Sequence, residues 1–225
     1  MKKTNLERIL SGVITVSIPV VICVLSILFL LSQVFMNLEY QRPNFPEDQY
    51  GFSTEERLDF GNQTRSYLVT NANLDGLRDL KYDSGNPLYV ERELEHLEDV
   101  KIVLQGVFKV FWGAIIVLVL GGVYARFRNW WKGYTLSVSK GGWLTAGLLG
   151  TILFLSIVSF RSLFTNFHRI FFEGDSWLFQ YSDTLIRLFP LRFWQDVFLV
   201  FGITTLTVGI LLGWLLSRKS RNSFR

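Results

Sequence analysis

Four long apolar blocks constrain the fold of this chain more than any other feature. The chain has 225 residues, and its apolar residues gather at roughly 9–35, 102–123, 142–160 and 197–216. About 20 apolar residues in a helix are enough to cross the ~30 Å hydrocarbon core of a bilayer. The sequence therefore predicts an integral membrane protein with four transmembrane helices rather than a soluble domain.

Basic residues are distributed unevenly among the segments that flank these blocks. Residues 1–8, 125–141 and 218–225 together carry eleven Lys or Arg and one acidic residue, whereas residues 37–101 and 165–195 carry seventeen acidic and ten basic residues. Positively charged segments stay in the cytoplasm. We therefore predict cytoplasmic termini and two extracytoplasmic segments, and we read the net charge of +4 as topological, with no indication of nucleic-acid binding.

The predicted fold class is an all-α membrane bundle of four transmembrane helices with a small extracytoplasmic cap of mixed helix and irregular or strand structure. The first apolar block is longer than the 7 to 15 residues of a signal-peptide core, so we expect a retained helix. The predicted segments are the cytoplasmic N-terminus with helix one (1–36), the cap (37–101), helix two (102–124), a cytoplasmic loop (125–141), helix three (142–164), a re-entrant or interfacial segment (165–195), helix four (196–217) and a cytoplasmic tail (218–225).

The cap carries local signals of its own. Ser53 and Glu56 have the spacing of a capping box, which predicts a helix from Thr54 toward Tyr67. Residues 83–87 read DSGNP, which indicates a turn. After the turn, the sequence YVERELEHLEDVKIVLQGVFKVFW is typical of one continuous helix that begins outside and enters the membrane.

The only two histidines fall at the same predicted depth. His96 lies about two turns before the second span, and His168 lies about two turns after the third. One reading is an interfacial connector, because aromatic and basic side chains are common at membrane boundaries. The other is an active site with two imidazoles. The single cysteine, Cys23, lies in the first span, which excludes a disulfide framework and makes a thiol nucleophile or cysteine zinc site outside improbable.

Four further residues near the histidines are candidates for supporting or substrate-binding roles. Asp99 is three residues after His96, so on a helix its carboxylate can approach the imidazole and fix the tautomer, with a solvated charge in this acidic stretch as the alternative. Glu95 and Glu98 are expected to face solvent. The other candidates, which have alternative readings as turn residues or interface anchors, are Arg161, Asp175 and Trp177.

Three stretches together resemble a known family. RELEHLEDVK before the second span, FHRIFFEGDSW after the third and DTLIRLFPLRFWQDV before the fourth are similar to the lipoprotein intramolecular transacylase (Lit) family of bacterial membrane proteins. The specific motifs lie in residues 92–101 and 160–197, and elsewhere the likeness is one of layout and length.

This resemblance implies an acyltransferase of lipoprotein biosynthesis in the bacterial plasma membrane. Members of the family take a diacylglyceryl lipoprotein and move its sn-2 acyl chain to the amine of the N-terminal cysteine, which gives a lyso-form N-acylated lipoprotein. His96 and His168 carry over as the catalytic pair on the extracytoplasmic face. The implied partners are the lipoprotein and membrane lipid, and no metal or other cofactor is required.

Two alternatives from other classes remain open on the residues alone. His96, Asp99 and His168 could furnish three ligands to zinc, or the two histidines could bind haem. The chain could also be a non-catalytic membrane assembly factor or sensor whose acidic cap binds a partner.

Overall fold

The computed structural model describes residues 4–172, 174 and 176–222, without the side chains of Ser156 and of residues 219–222. Nine α-helices form the regular structure of this part of the chain. They are α1 (Asn5–Leu30), α2 (Gln33–Tyr40), α3 (Thr54–Val69), α4 (Asp75–Arg78), α5 (Glu91–Phe127), α6 (Trp131–Val158), α7 (Phe160–Phe171), α8 (Thr184–Leu188) and α9 (Leu191–Asn222).

The predicted all-α architecture with four spans is confirmed. Within the described residues, α1, α5, α6 and α9 are long and apolar enough to cross a membrane. The strand structure allowed for in the cap amounts, in that same part, to one isolated bridge between Lys81 and Pro87.

Two of the apolar blocks end earlier as helices than their composition predicts. The first was expected to continue to residue 35, but α1 ends at Leu30, and the Ser32 hydroxyl accepts a hydrogen bond from the Phe35 N–H to begin α2. A serine side chain competes for backbone donors in this way and starts a new helix. The third block breaks at Ser159, where α6 gives way to α7.

The chain divides into two compact units. The first comprises Met1–Ile27, Val107–Ile157 and Leu199–Arg225. Small residues bring helices α6 and α9 close together within it. A Cβ atom added at Gly142 would lie 2.6 Å from the Gly213 nitrogen, so glycine is required there, and the Ser139 hydroxyl donates to the Gly213 carbonyl at 2.8 Å. Close approach through small residues is typical of helices packed in membranes.

The second unit comprises Leu28–Gly106 and Val158–Phe198. It therefore combines the two segments that the charge distribution assigns to one side of the membrane. The predicted capping box is present at the start of α3, where Ser53 and Glu56 each accept from the other's backbone N–H. Gly85, with φ of +83°, forms the predicted turn, and α5 is the predicted continuous helix of 37 residues.

An apolar core and a buried ion pair hold the second unit together. The core is made of buried side chains from α3 to α5 and α8, namely Tyr67, Leu77, Leu88, Tyr89, Leu94, Leu97, Leu185 and Leu188. Beside this core, the Arg187 guanidinium lies 2.9 Å from the Asp48 carboxylate and 3.6 Å from the centre of the Phe52 ring. Arg57 donates to the Arg187 carbonyl at 2.9 Å. Both guanidinium groups are buried, and each is satisfied, Arg187 by the Asp48 carboxylate and Arg57 by backbone carbonyls.

Candidate active site

The two histidines lie together within the second unit, on different helices. His96 is on α5 and His168 is on α7, and their ring centroids are 6.2 Å apart with an interplanar angle of 21°. Both side chains are buried, with 8% and 9% of their surface exposed. Seventy-two positions separate them in the sequence, so the fold alone creates the pair.

A backbone hydrogen bond determines the tautomer of His168. Its Nδ1 atom lies 2.8 Å from the carbonyl oxygen of Phe164, four residues earlier on α7. A carbonyl oxygen only accepts, so Nδ1 carries the proton and the neutral ring keeps a free lone pair on Nε2. Burial lowers the pKa of His168 below its ordinary value, against an opposing contribution from the bond to Phe164. The residue is therefore a neutral base near pH 7.

Aromatic rings surround both imidazoles. The Phe164 ring is centred 4.1 Å from the His168 ring, and Trp177 is centred 4.8 Å from it. His96 is flanked by Phe172 at 4.9 Å and Phe179 at 5.3 Å. Such surroundings exclude water and disfavour a permanently charged imidazole. An aromatic face can still stabilise the transient cation that forms when a histidine takes up a proton.

A cavity of about 180 Å³ opens between the two histidines, and it is lined mostly by apolar side chains. All of its lining residues belong to the second unit. They are Leu30, Leu31, Met36, Thr64, Arg65, Leu68, His96, Leu97, Val100, Phe164, His168, Trp177, Phe179, Leu185, Ile186, Phe189, Phe193, Trp194 and Val197. The arrangement suits an aliphatic chain next to a proton acceptor.

The structure separates the four supporting candidates. Trp177 lies in the cavity wall. Arg161 is exposed in the first turn of α7 and is absent from that wall, whereas Asp175 lies outside the described residues. The prediction that Asp99 bonds to His96 is wrong. Asp99 is exposed, and within the described part of the chain the buried Nδ1 of His96 has no hydrogen-bond partner. Glu95 and Glu98 are exposed, as predicted.

The acid that shares the buried side of α5 with His96 is Glu93, which the sequence did not single out. Its carboxylate accepts from the Leu185 N–H at 2.6 Å and from the Val90 N–H at 2.9 Å, and its side chain is only 1% exposed. Glu93 thus ties the first turn of α5 to the first turn of α8. Its position three residues before His96 makes it a helical neighbour, but Asp99 has the same spacing on the other side, so the spacing alone does not select Glu93.

The donor set gives no support to a metal centre. Among the residues that the structure describes, no three His, Cys, Asp or Glu side chains lie close enough together to hold a metal ion. Asp99 is exposed, so of these three candidate ligands only the two imidazoles line the cavity. This geometry disfavours the three-ligand zinc site considered above.

Taken together, the fold and the site define a class: an integral membrane protein with a buried two-histidine site beside an apolar cavity. The family model described as lipoprotein intramolecular transacylase Lit matches residues 12–194. This chain belongs to the lipoprotein intramolecular transacylase (Lit) family.

Similar proteins extend over nearly the whole chain. An uncharacterised protein of Aquifex aeolicus is 30% identical over 212 residues, which cover 92% of this chain and 93% of that protein. The crystallised membrane-integral Lit of Bacillus cereus has the same fold, with a TM-score of 0.78 at 21% identity, covering 97% of this chain and 99% of the other. A histidine-to-arginine variant of that protein matches with a TM-score of 0.72 at 21% identity, covering 97% and 95%.

Because Glu93 is the acceptor of the buried Leu185 N–H in the described part of the chain, we expect Glu93→Ala to destabilise the protein. An unsatisfied buried donor costs about 1 to 3 kcal/mol of unfolding free energy. Denaturant titration of the purified protein in micelles measures the change. Glu95→Ala is the matched control, since it removes the same charge from an exposed position on the same helix. Equal midpoints for the two variants would contradict the tie between α5 and α8.

Proposed function

We propose that this protein moves the sn-2 acyl chain of a diacylglyceryl lipoprotein to the α-amine of that lipoprotein's N-terminal cysteine. Its membership of the Lit family supports a transacylase that acts on lipoproteins. The observation that carries the finer proposal is the neutral, buried His168, whose Nε2 is left free by the bond from Nδ1 to the Phe164 carbonyl.

The transfer exchanges two bonds and one proton. The amine nitrogen attacks the ester carbonyl carbon, a C–N amide bond forms, the C–O ester bond breaks, and the glyceryl oxygen gains the proton that the amine loses. From the amine nitrogen through Cα, Cβ, sulfur, two glyceryl carbons and the ester oxygen to the carbonyl carbon, the transition state closes an eight-membered ring. Rings of this size close poorly, so holding the two ends together contributes up to ~7 to 11 kcal/mol.

His168 is the general base in this mechanism. The attacking amine has an ordinary pKa of ~7.7 to 8.0 and must be neutral. As its nitrogen bonds to carbon, its two protons become acidic, and one of them passes to His168 Nε2 while the other stays on the amide. The resulting imidazolium keeps its bond to the Phe164 carbonyl and lies against the Phe164 and Trp177 rings. General base catalysis of this kind contributes ~10² to 10⁴-fold in rate.

His96 is the partner that gives a proton to the departing glyceryl oxygen and regains one from the His168 imidazolium. Its ring centre is 6.2 Å from that of His168, and both rings line the same cavity, so one bound ester group can contact both imidazoles. No carboxylate of the described chain is bonded to its buried Nδ1. The cycle leaves the protein unchanged: the proton taken from the amine ends on the glyceryl oxygen, and no acyl-enzyme, metal or nucleotide takes part.

The orientation of the chain follows from its basic residues. We place the termini and the segment between α5 and α6 in the cytoplasm, and the second unit on the extracytoplasmic face of the plasma membrane. The substrate's lipid-modified cysteine is presented on that same face.

A direct assay tests the function. The purified protein should convert a synthetic diacylglyceryl lipopeptide into an isomer of unchanged mass, with fragment ions that place one acyl group on the amine. Success with the purified protein alone would exclude a non-catalytic assembly factor or sensor. Loss of transfer on adding EDTA, with recovery on adding zinc, would instead favour the metal protein.

In this assay we expect His168→Ala to lower the initial rate by about 10² to 10⁴-fold. His96→Ala should have a comparable effect, and the double variant should be hardly slower than either single one, because residues on one proton path are not additive. Asp99→Asn is the control: it removes a charge that is exposed and unconnected to His96, so its rate should stay near wild type. A folded His168→Ala protein with a near-normal rate would contradict the active-site assignment and favour the interpretation of this stretch as an interfacial connector.

The lowered pKa of His168 predicts the pH profile. At pH values above about 6.5 the imidazole is already neutral, so log kcat/KM should rise with unit slope through the pKa of the substrate amine and level off above about pH 8. A second, steeper limb should begin only below about pH 6.5, where His168 becomes protonated. Initial rates between pH 5 and 9 measure the profile, and a steep limb that begins at or above pH 6.5 would contradict the burial of the base.

Labelling of intact cells tests the orientation. In a Cys23→Ser background, Ser84→Cys in the exposed turn before α5 should react with a membrane-impermeant maleimide, whereas Ser220→Cys in the basic tail should react only after lysis. The reverse pattern would place the two histidines in the cytoplasm, away from the lipoprotein amine.

A further inference from the structure

A second polar atom in the cavity wall lacks a partner, and the mechanism above does not use it. The indole Nε1 of Trp177 is buried and has no hydrogen-bond partner among the residues that the structure describes. An indole nitrogen is a donor only. Two other polar groups of the cavity wall do have partners. The Thr64 hydroxyl donates to the Phe60 carbonyl at 2.8 Å, and Arg65 donates to the Leu31 carbonyl at 3.2 Å.

Packing alone does not require this nitrogen. Burying a donor without an acceptor destabilises the fold, and a phenylalanine at the same place would avoid that cost. Buried indole N–H groups normally find a partner. A bound ligand with a carbonyl oxygen would supply the missing acceptor, and the cavity beside Trp177 is where the ligand of His168 must lie.

The contact between the Trp177 and His168 rings brings the indole N–H close to the reacting atoms. The Trp177 and His168 ring centres are 4.8 Å apart with an interplanar angle of 32°, so the indole is held against the imidazole that takes the proton. An amine within reach of His168 Nε2 has its target ester within the same small cavity. The ester carbonyl oxygen is the one substrate atom there that gains negative charge during the attack.

We propose that Trp177 Nε1–H donates a hydrogen bond to the sn-2 ester carbonyl oxygen and stabilises the oxyanion that forms on it. This inference rests on the proposed acyl transfer. The indole keeps its proton throughout, and the bond shortens as the carbonyl π electrons move onto oxygen and relaxes when the amide carbonyl re-forms. A fixed donor in a water-excluded site is effective because it needs no reorganisation during the reaction.

Two replacements at this position separate the N–H from the ring. Trp177→Phe keeps an aromatic ring against His168, and 3-benzothienyl-alanine at position 177 keeps the bicyclic shape while replacing N–H by sulfur. We expect both to lower kcat by about 10² to 10³-fold, the usual effect of removing one oxyanion donor, with KM changed far less. Trp112→Phe, an exposed tryptophan on α5, is the control and should retain the wild-type kcat.

The benzothienyl variant keeps the test decisive if Trp177→Phe does not fold. A benzothienyl protein with wild-type kcat, or an equal loss in Trp112→Phe, would overturn the proposal. A rise in KM at unchanged kcat would do so too, because it would assign the indole to binding alone.

A binding measurement separates failure of this inference from failure of the proposed function. A lipopeptide with an amide in place of the sn-2 ester retains the carbonyl acceptor but resists transfer. Adding this analogue should shift the indole ¹H–¹⁵N signal of Trp177 downfield. That signal is assigned as the one that is lost in Trp177→Phe. A wild-type protein that binds this analogue with the expected shift but transfers nothing would refute the acyl transfer and keep the donor. Active wild-type protein without the shift would refute the donor alone.

Discussion

The carboxylate of Glu93 is the contact on which the geometry of the site depends. It is buried without a cation bonded to it in the described structure, and it accepts two backbone N–H groups, those of Val90 and Leu185, instead. Glu93 lies three residues before His96, and its side chain holds the start of α5 against the start of α8. The next residues of α8 include Arg187, whose guanidinium anchors Asp48 and Phe52. These contacts join segments that are far apart in the sequence.

The two imidazoles of the site have different hydrogen-bond surroundings. His168 has a fixed proton on Nδ1 because a backbone carbonyl lies beside it, whereas the Nδ1 of His96 is buried with no partner in the described part of the chain. A backbone acceptor has an advantage over a carboxylate here, since it orients the ring without adding a charge that would raise the basicity of a buried imidazole. The division of labour proposed for the pair follows from this difference, and the sequence alone did not resolve it.

Much of the fold could be predicted because its signals are local. Apolar length fixes the spans, the Ser53 and Glu56 spacing fixes the start of α3, and DSGNP fixes a turn. The break after Leu30 was missed because an apolar run continues through it, and only the Ser32 hydroxyl marks the new helix. Local signals of this strength decide helix ends only when no competing apolar pattern masks them.

The site was less predictable, for a geometric reason. On α5, Glu93 and Asp99 lie three residues to either side of His96, each rotated by about 60° from it at ~100° per residue. Both are acidic, so local sequence cannot say which side is buried. The N–H of Leu185, ninety-two residues from Glu93, decides in favour of Glu93. The aromatic walls around His168 are non-local in the same way, because Trp177 lies nine residues further along the chain, outside α7.

The apolar lining of the cavity has a consequence for the fate of the acyl group. Water is a far more abundant nucleophile than a single tethered amine, and an activated ester open to solvent would lose its fatty acid by hydrolysis. Phe164, Phe179 and the aliphatic residues of the wall offer few hydrogen-bond partners to a water molecule, which needs 2 to 4 of them to be held in place. In the proposed transfer, this apolar lining, rather than any feature of the two imidazoles, would favour the tethered amine over water as the nucleophile and so disfavour hydrolysis of the ester.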